Sequence, residues 1–250
     1  MTEHQHMQQR QHLGQAQQPG QHRPQRGQQL QPGEKSREQR ANLLGAVEGL
    51  LGFVLWTLAI TRIDVQPIGP RGSKVGFATI NGAFHQLTGV HWTLYNLTDW
   101  MGEIAVLMMV DFAVLGLCQL VWRRSLLRVD ADLLVLGAFY VLLLGCYLAF
   151  EAIAVNYRPV LVEGRLEAPY PSSTTLLVLT VIPTAIMQLR SRIANRGARR
   201  AVVGLLVAFA AFMVAGRTLA VVHWLTDIVG GILLSFALVM LYRLAAAGVR

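Results

Sequence analysis

Long apolar segments alternate with short polar ones along most of the chain. Each apolar segment approaches the ~20 residues that an α-helix needs to cross a bilayer. Six such segments occur, and the spans are predicted at 42–61, 101–122, 131–150, 173–189, 199–215 and 222–242. Because only helices and closed barrels satisfy their backbone inside a membrane, blocks of this length predict an all-α, polytopic bundle of six transmembrane helices.

The first 40 residues differ from the rest, since they are rich in Gln and His and almost without apolar side chains. Such a segment cannot bury enough apolar surface to offset the entropy of ordering, so residues 1–40 are predicted to be a disordered cytoplasmic tail. The membrane domain is then expected to occupy residues 41–250. No apolar run follows the first basic residues directly, and no signal peptide is expected.

Basic residues are concentrated in the connections at one end of the predicted bundle. They precede the first span and follow the second, fourth and sixth: Arg37, Arg40, Arg123, Arg124, Arg128, Arg190, Arg192, Arg196, Arg199, Arg200, Arg243 and Arg250. Cytoplasmic connections of membrane proteins are enriched in Lys and Arg, so this end and both termini are predicted to be cytoplasmic. The protein is expected to be a multi-pass protein of the plasma membrane.

Composition agrees with this interpretation, since 53% of the residues are hydrophobic and only 14% are charged. The net charge of +8 lies in short connections between apolar blocks and therefore does not indicate nucleic-acid binding. Three acidic residues in or near the spans, Glu48, Glu103 and Asp111, are interpreted as interhelical hydrogen-bonding groups.

The connection at 62–100 is the longest one on the opposite side. Val75, Ile80, Phe84 and Leu87 follow at loosely helical spacing, and Trp92, Tyr95 and Trp100 come next. This pattern predicts a helix at the membrane interface followed by an aromatic belt.

Candidate chemistry lies on that same side, above all in the segment from Arg217 to Asp227. His223 and Asp227 are four residues apart, so on a helix they share one face. The carboxylate can then hold one imidazole nitrogen and leave the other free as a nucleophile or base. Arg217 can present a planar fork to a phosphate group. A buried ion pair between packed helices explains these residues equally well.

Two further segments favour phosphate chemistry. Arg158 precedes Pro159 in the connection after the third span, and Pro171-Ser172-Ser173-Thr174 leads into the fourth. A Ser or Thr helix start exposes backbone N–H groups and is a ready site for an anion. Two arginines, such a helix start and a His/Asp pair on one face of the membrane are more probable in a phosphate site than by coincidence.

The three segments resemble the motifs of the type 2 phosphatidic acid phosphatase superfamily, which includes the vanadium haloperoxidases. Its pattern is K-x6-R-P, then P-S-G-H, then S-R-x5-H-x3-D. The third motif is matched at Arg217, His223 and Asp227, and the first two are matched in part, at Arg158-Pro159 and Pro171-Ser172. The resemblance covers about residues 42–245 and includes the six-span topology.

The resemblance implies a membrane phosphatase without a metal or other cofactor. His223 would attack phosphorus and form a phosphohistidine, and Asp227 would orient it. The implied phosphate-binding residues are Arg158, Arg217, Ser172, Ser173 and Thr174. The implied substrate is a phosphorylated membrane lipid, a polyprenyl or glycerolipid phosphate or diphosphate, hydrolysed at the extracytoplasmic face.

This chain departs from the family pattern at several positions. Thr174 stands where the family has the histidine that protonates the leaving group, and Glu151 stands where it has a lysine. Ser173 replaces a Gly, and Gly216 replaces a Ser. Loss of a general acid costs roughly 10²–10⁴-fold. A lipid diphosphate, whose leaving group is a weak base, is therefore expected to react faster than a monoester.

The role of Glu151 stays open, because it is the first residue after the third predicted span. It can pair with an arginine, act as a substitute acid, or lie solvated at the helix end. Other possible acids on the same side are Glu163, Glu167, His85 and His91.

Two functions remain open at the level of the sequence. An active lipid phosphatase is favoured because Arg158, Arg217, His223 and Asp227 are all present. The alternative is a catalytically impaired family member that binds or transports phosphorylated lipid. A haloperoxidase is disfavoured, since those enzymes need the missing Lys and His. The sequence does not predict an oligomeric state.

Overall fold

The computed structural model describes residues 32–168 and 170–249. These ranges contain seven α-helices: α1 Pro32–Ile60, α2 Ala78–Thr88, α3 Trp92–Arg123, α4 Ala131–Ala152, α5 Ser173–Arg192, α6 Arg196–Ala220 and α7 Leu225–Val249. Two 3-10 turns lie at Pro70–Gly72 and Leu126–Arg128. Within the described ranges, β structure is limited to two isolated bridges.

Every helix except α2 is long and apolar enough to cross a membrane, which makes six candidate spans. The predicted six-span, all-α class is confirmed. Three helices begin earlier than expected: α1 at Pro32, inside the segment assigned to the tail, α3 at Trp92 and α6 at Arg196. By contrast, α7 begins later than expected, at Leu225. Residues 1–31 of the predicted tail lie outside the described residues.

The predicted interfacial helix corresponds to α2, whose Ile80 and Leu87 are exposed. Val75, also included in the prediction, precedes α2 and is buried. The aromatic residues Trp92, Tyr95 and Trp100 belong to the first turns of α3 rather than to a connecting loop. Polar residues of that segment therefore follow helical spacing, which brings Tyr95 and Asp99 onto one face.

The central helix of the bundle is α5, which packs against α3, α6 and α7. Its buried polar side chains bond to neighbouring helices. Gln188 donates to the hydroxyl of Tyr242 at 2.7 Å, and the hydroxyls of Thr184 and Tyr140 lie 3.2 Å apart. Because lipid offers no polar partners, such bonds between helices satisfy groups that would otherwise stay unpaired.

Ion pairs connect the arginine-rich helix ends. Arg192 of α5 lies 3.4 Å from Asp132 of α4, and Arg243 of α7 lies 3.7 Å from Glu38 of α1. The start of α7, the end of α6 and the connection between α4 and α5 therefore lie at the other end of the bundle.

The interpretation of Glu48, Glu103 and Asp111 as interhelical hydrogen-bonding groups is wrong. All three are exposed on the outer faces of α1 and α3. None of them forms a hydrogen bond or ion pair with another residue of the described part of the chain.

Candidate active site

His223 lies in the short connection between α6 and α7. The chain leaves α6 through Val221, whose φ of 52° is in the left-handed region, and this turn points the imidazole into the protein, where His223 is 2% exposed. Its Nε2 atom is 3.0 Å from Nη1 of Arg158 and 3.2 Å from Nη2 of Arg217. Since a guanidinium group can only donate, Nε2 is the acceptor and the neutral ring carries its proton on Nδ1.

Burial, together with the charges of Arg158 and Arg217, lowers the pKa of His223 well below its usual value. Both effects disfavour the imidazolium ion. The ring is therefore neutral at neutral pH and keeps a lone pair on the nitrogen that faces the two arginines.

Asp227 lies in the first turn of α7 and is fully buried. Its Oδ1 accepts a hydrogen bond from Asn156 at 3.2 Å, and its Oδ2 accepts one from the backbone N–H of Trp224 at 3.1 Å. Oδ2 lies 3.9 Å from Nδ1 of His223, beyond hydrogen-bonding distance. The two side chains lie near each other, but the prediction that they share one helical face is wrong, because His223 precedes α7. The sequence also missed Asn156, which holds the carboxylate.

Each arginine has a carboxylate partner at the edge of the site. Nε of Arg158 donates to Glu167 at 2.8 Å, and Nη1 of Arg217 donates to Asp99 at 3.2 Å. The arginine side chains are 10% and 2% exposed, whereas those of Glu167 and Asp99 are 41% and 54% exposed. The positive charge therefore lies inside the site and the negative charge at its rim.

The Tyr95 ring covers both guanidinium groups, at 4.7 Å from Cζ of Arg217 and 5.9 Å from Cζ of Arg158. The aromatic face attracts the cations and fixes their planes. Tyr95 and Asp99 were not recognised as site residues in the sequence. Their spacing of four residues indicates a shared face only once α3 is known to begin at Trp92.

The start of α5 differs in part from the predicted anion site. The backbone N–H of Ser172 donates to the carbonyl oxygen of Asp227 at 3.1 Å, so its use for phosphate would break that bond. Ser173 and Thr174 are the first residues of α5, and their N–H groups lack helical partners. The side chain of Thr174 is buried against α3, and its Cγ2 lies 3.0 Å from where a Cβ on Gly102 would stand.

Packing accounts for the glycine beside Arg217. A Cβ on Gly216 would lie 2.6 Å from Cγ2 of Thr98 on α3. The serine of the family pattern would therefore force α3 and α6 apart at this point.

Glu151, whose role the sequence leaves open, is the penultimate residue of α4.

A cavity of about 340 Å³ opens beside Arg158. Glu167 and Ser173 line its polar part, and Tyr147, Phe150 and Tyr170 contribute aromatic walls. Burial raises the pKa of Tyr170 to about 12, and its hydroxyl bonds to that of Thr57 at 2.7 Å. The cavity thus combines one arginine, one helix start and an apolar wall.

The other predicted acids lie in different surroundings. Glu163 is exposed in the turn between the bridged residues Val162 and Arg165. The His85 ring packs near Trp224, with centroids 5.7 Å apart, and Nε2 of His91 lies 3.0 Å from the carbonyl oxygen of Thr88.

The fold and this site define a class, a six-span integral membrane protein with a neutral histidine held between two arginines. The sequence model of the PAP2 superfamily matches residues 108–248, more than half of the chain, and the protein belongs to this superfamily. The predicted resemblance is confirmed. A comparison with curated proteins gave no match.

The fold is similar to that of a solved structure, described as the first transmembrane PAP2 type phosphatidylglycerolphosphate phosphatase from Bacillus subtilis. The TM-score is 0.52 at 18% sequence identity, and the match covers 79% of this chain and 94% of that chain. Family and fold together support the coarser functional prediction, a membrane phosphatase of phosphorylated lipids.

Proposed function

We propose that the protein hydrolyses a phosphorylated membrane lipid through a phosphohistidine on His223. One observation carries the proposal: two buried guanidinium groups converge on Nε2 of a neutral imidazole. Two arginines around one nitrogen repel each other unless an anion joins them. A phosphoryl group is such an anion, and it is also the electrophile that this nitrogen would attack.

Substrate binding replaces the contacts between the arginines and His223. The N–H groups of Arg158 and Arg217 turn to the phosphoryl oxygens, which frees the Nε2 lone pair. The bond from Nε2 to phosphorus then forms as the bond from phosphorus to the leaving oxygen breaks. Water attacks phosphorus in the second step and gives up a proton to solvent, the bond to nitrogen breaks, and inorganic phosphate leaves. Arginine donors stabilise the charge on the equatorial oxygens in both steps.

A lipid diphosphate is the preferred substrate in this proposal. Thr174 cannot replace the histidine of the family pattern as a proton donor, and its side chain is buried against α3. A leaving lipid monophosphate is a weak base and departs without a proton, whereas a leaving alkoxide does not. The diphosphate is therefore expected to react faster than the monoester, whose leaving oxygen needs a proton from another group of the site.

The proposed site faces the outside of the cytoplasm. The support is that the site and the arginine-rich connections lie at opposite ends of the bundle, and that basic connections stay in the cytoplasm. Both termini are then cytoplasmic, and the substrate lies in the outer leaflet of the plasma membrane.

Trapping of the intermediate tests the proposal. Purified protein is mixed with a lipid diphosphate labelled in its terminal phosphate, quenched at alkaline pH and analysed for label. Wild-type protein and the control His91→Ala, an exposed histidine on the same side, are expected to carry label, and His223→Ala is not.

One observation favours the second candidate function, lipid binding without turnover. His223 is 2% exposed, and its Nε2 is occupied by both arginines. Saturable binding of the lipid diphosphate without label on wild-type protein would support that function and contradict the phosphatase.

A further inference from the structure

We propose that Glu167 supplies the proton to the leaving group, in place of the histidine that the family pattern has at position 174. This inference rests on the proposed phosphatase function. It names a catalytic residue for monoester substrates that the motifs do not contain.

Arg158 joins Glu167 to the nucleophile. Its Nη1 contacts Nε2 of His223 at 3.0 Å, and its Nε contacts Oε2 of Glu167 at 2.8 Å. The third nitrogen, Nη2, forms no hydrogen bond with the described residues. The three nitrogens share one carbon and one plane. Nη2 is therefore a free donor for a phosphoryl oxygen, flanked by the nucleophile and the carboxyl group.

The distance between Nε2 of His223 and Oε2 of Glu167 fits in-line transfer of a phosphoryl group. The two contacts and the ~2.3 Å between guanidinium nitrogens place Nε2 and Oε2 at most about 8 Å apart. An attacking nitrogen, a phosphorus, a leaving oxygen and a hydrogen-bonded acid in line need roughly 7–8 Å. Glu167 thus lies within the range where it can reach the leaving oxygen while His223 attacks.

The position of the cavity also suits a leaving group that departs from phosphorus toward Glu167. Arg158, Glu167 and Ser173 line it together, next to the aromatic walls of Tyr147 and Phe150. A lipid oxygen leaving into this space would be next to the Glu167 carboxyl, with its chain against the apolar wall. The side chain of Glu167 is 41% exposed, so water can reach its carboxyl group.

The other acidic partner of an arginine does not share these features. Asp99 bonds Nη1 of Arg217, lies on α3, and is not among the residues that line the cavity. Glu163 is exposed in a turn and bonds neither arginine. Of the carboxylates in the described part of the chain, Glu167 alone combines the arginine contact with the cavity wall.

The proton balance is complete without a further reactant. In this step Glu167 acts in its protonated form in the substrate complex. Its proton passes to the bridging oxygen as that oxygen leaves phosphorus and Nε2 bonds to phosphorus, which releases a lipid alcohol. The resulting carboxylate then accepts a proton from the attacking water as the bond from phosphorus to nitrogen breaks.

The test compares two substrates with the same lipid chain, a monophosphate and a diphosphate, by kcat/KM on the full-length protein in lipid nanodiscs. Glu167→Gln is expected to lower kcat/KM for the monophosphate about 10²–10³-fold. For the diphosphate, the change is expected to stay within several-fold. Glu167→Asp should recover part of the monophosphate activity, because it restores a carboxyl group.

Two control variants separate this role from a structural one. Asp99→Asn removes the carboxylate of the other arginine and should affect both substrates by similar factors, and Glu163→Gln should change neither. Equal losses for both substrates in Glu167→Gln would overturn the inference, since they indicate that Glu167 only positions Arg158. An unchanged monophosphate rate, or no monophosphate turnover by wild-type protein, would overturn it as well.

Failure of the inference is distinguishable from failure of the proposed function. If Glu167→Gln is labelled by the diphosphate on His223 but shows no dependence on the leaving group, only the inference fails. If wild-type protein takes no label, the phosphatase itself fails. Labelling of Glu167→Gln also shows that the variant is folded.

Discussion

At the scale of single residues, the environment of His223 combines burial with two cations. The carboxylate of Asp227 lies 3.9 Å from Nδ1 of His223 and is bonded to Asn156 and to the Trp224 backbone. Burial and the two guanidinium charges keep the ring neutral, and the arginine N–H groups that donate to Nε2 leave the ring proton on Nδ1. A nucleophile needs this neutral form.

The acid limb of the pH–rate profile should reflect this environment. In the proposed reaction His223 attacks only when neutral, and burial together with Arg158 and Arg217 lowers its pKa well below the usual 6.5. As pH falls, the free enzyme therefore keeps its active form through pH 6.5 and loses it only at lower pH. The measurement is kcat/KM against pH, which reports on the free enzyme, with the substrate's own ionisation determined separately by phosphorus NMR.

A histidine-selective NMR titration provides the control, with the His223 signal assigned by its loss in His223→Ala. A His223 midpoint near 6.5 would contradict the lowered pKa. Agreement of the kinetic limb with the NMR midpoint would assign the limb to this residue.

At the scale of elements, glycines decide how closely helices approach. A Cβ on Gly49 of α1 would lie 2.8 Å from Cδ1 of Phe236 and 3.1 Å from Cα of Ala237, both on α7. The backbone atom cannot move aside as a side chain can. This contact holds α1 against α7, and α1 carries Trp56 and Thr57, which bond to Thr226 and Tyr170 close to the site.

Gly49→Ala is therefore expected to destabilise the protein by about 1–3 kcal/mol, the usual cost of overpacking. The matched control is Gly116→Ala in α3, where an added Cβ meets nothing within 4 Å. Both changes improve helix propensity by roughly 0.5–1 kcal/mol, so their difference isolates the contact. Thermal unfolding in detergent measures both, and equal stability of the two variants would contradict the packing argument.

The packing of the helices also determines which groups of a sequence motif are available to a ligand. The helix start at Ser172 has the residues of an anion site, but the Asp227 carbonyl oxygen already accepts the Ser172 N–H. The motif residue Thr174 faces α3, whereas Glu167, outside every motif, lies beside Arg158. Spacing along the chain cannot distinguish a free N–H from one that bonds a distant residue.

At the scale of the whole molecule, the two ends of the bundle differ in charge and chemistry. Ion pairs of the arginine-rich connections lie at one end, and the His223 site lies at the other. The proposed orientation follows from this separation, since basic connections are retained in the cytoplasm.

Cysteine labelling tests the orientation. In a background with Cys118→Ser and Cys146→Ser, Glu163→Cys places a thiol in the exposed α4–α5 connection, and Ala194→Cys places one in the α5–α6 connection. A membrane-impermeant maleimide should label the first in intact cells and the second only after permeabilisation. The reverse result would contradict both the orientation and the proposed face of the site.

The sequence by itself determined the membrane class, the six spans and the spacing of Arg217, His223 and Asp227. These features are local, because a span depends on its own hydropathy and the third motif occupies residues 217–227, from the end of α6 to the first turn of α7. The start of α1 and that of α3 were placed too late, since amphipathic or polar helix ends resemble loops in hydropathy.

Only the tertiary structure decided which groups meet His223. Arg158 contacts it across 65 residues of sequence, and Asn156 reaches Asp227 across 71. The packing of α4, α5 and α7 likewise brings Glu167, and not Glu163, against Arg158. It also pairs the Ser172 N–H with the carbonyl oxygen of Asp227, so this N–H is not free for an anion. Such contacts arise from the three-dimensional arrangement of helices, which residue spacing within one segment does not encode.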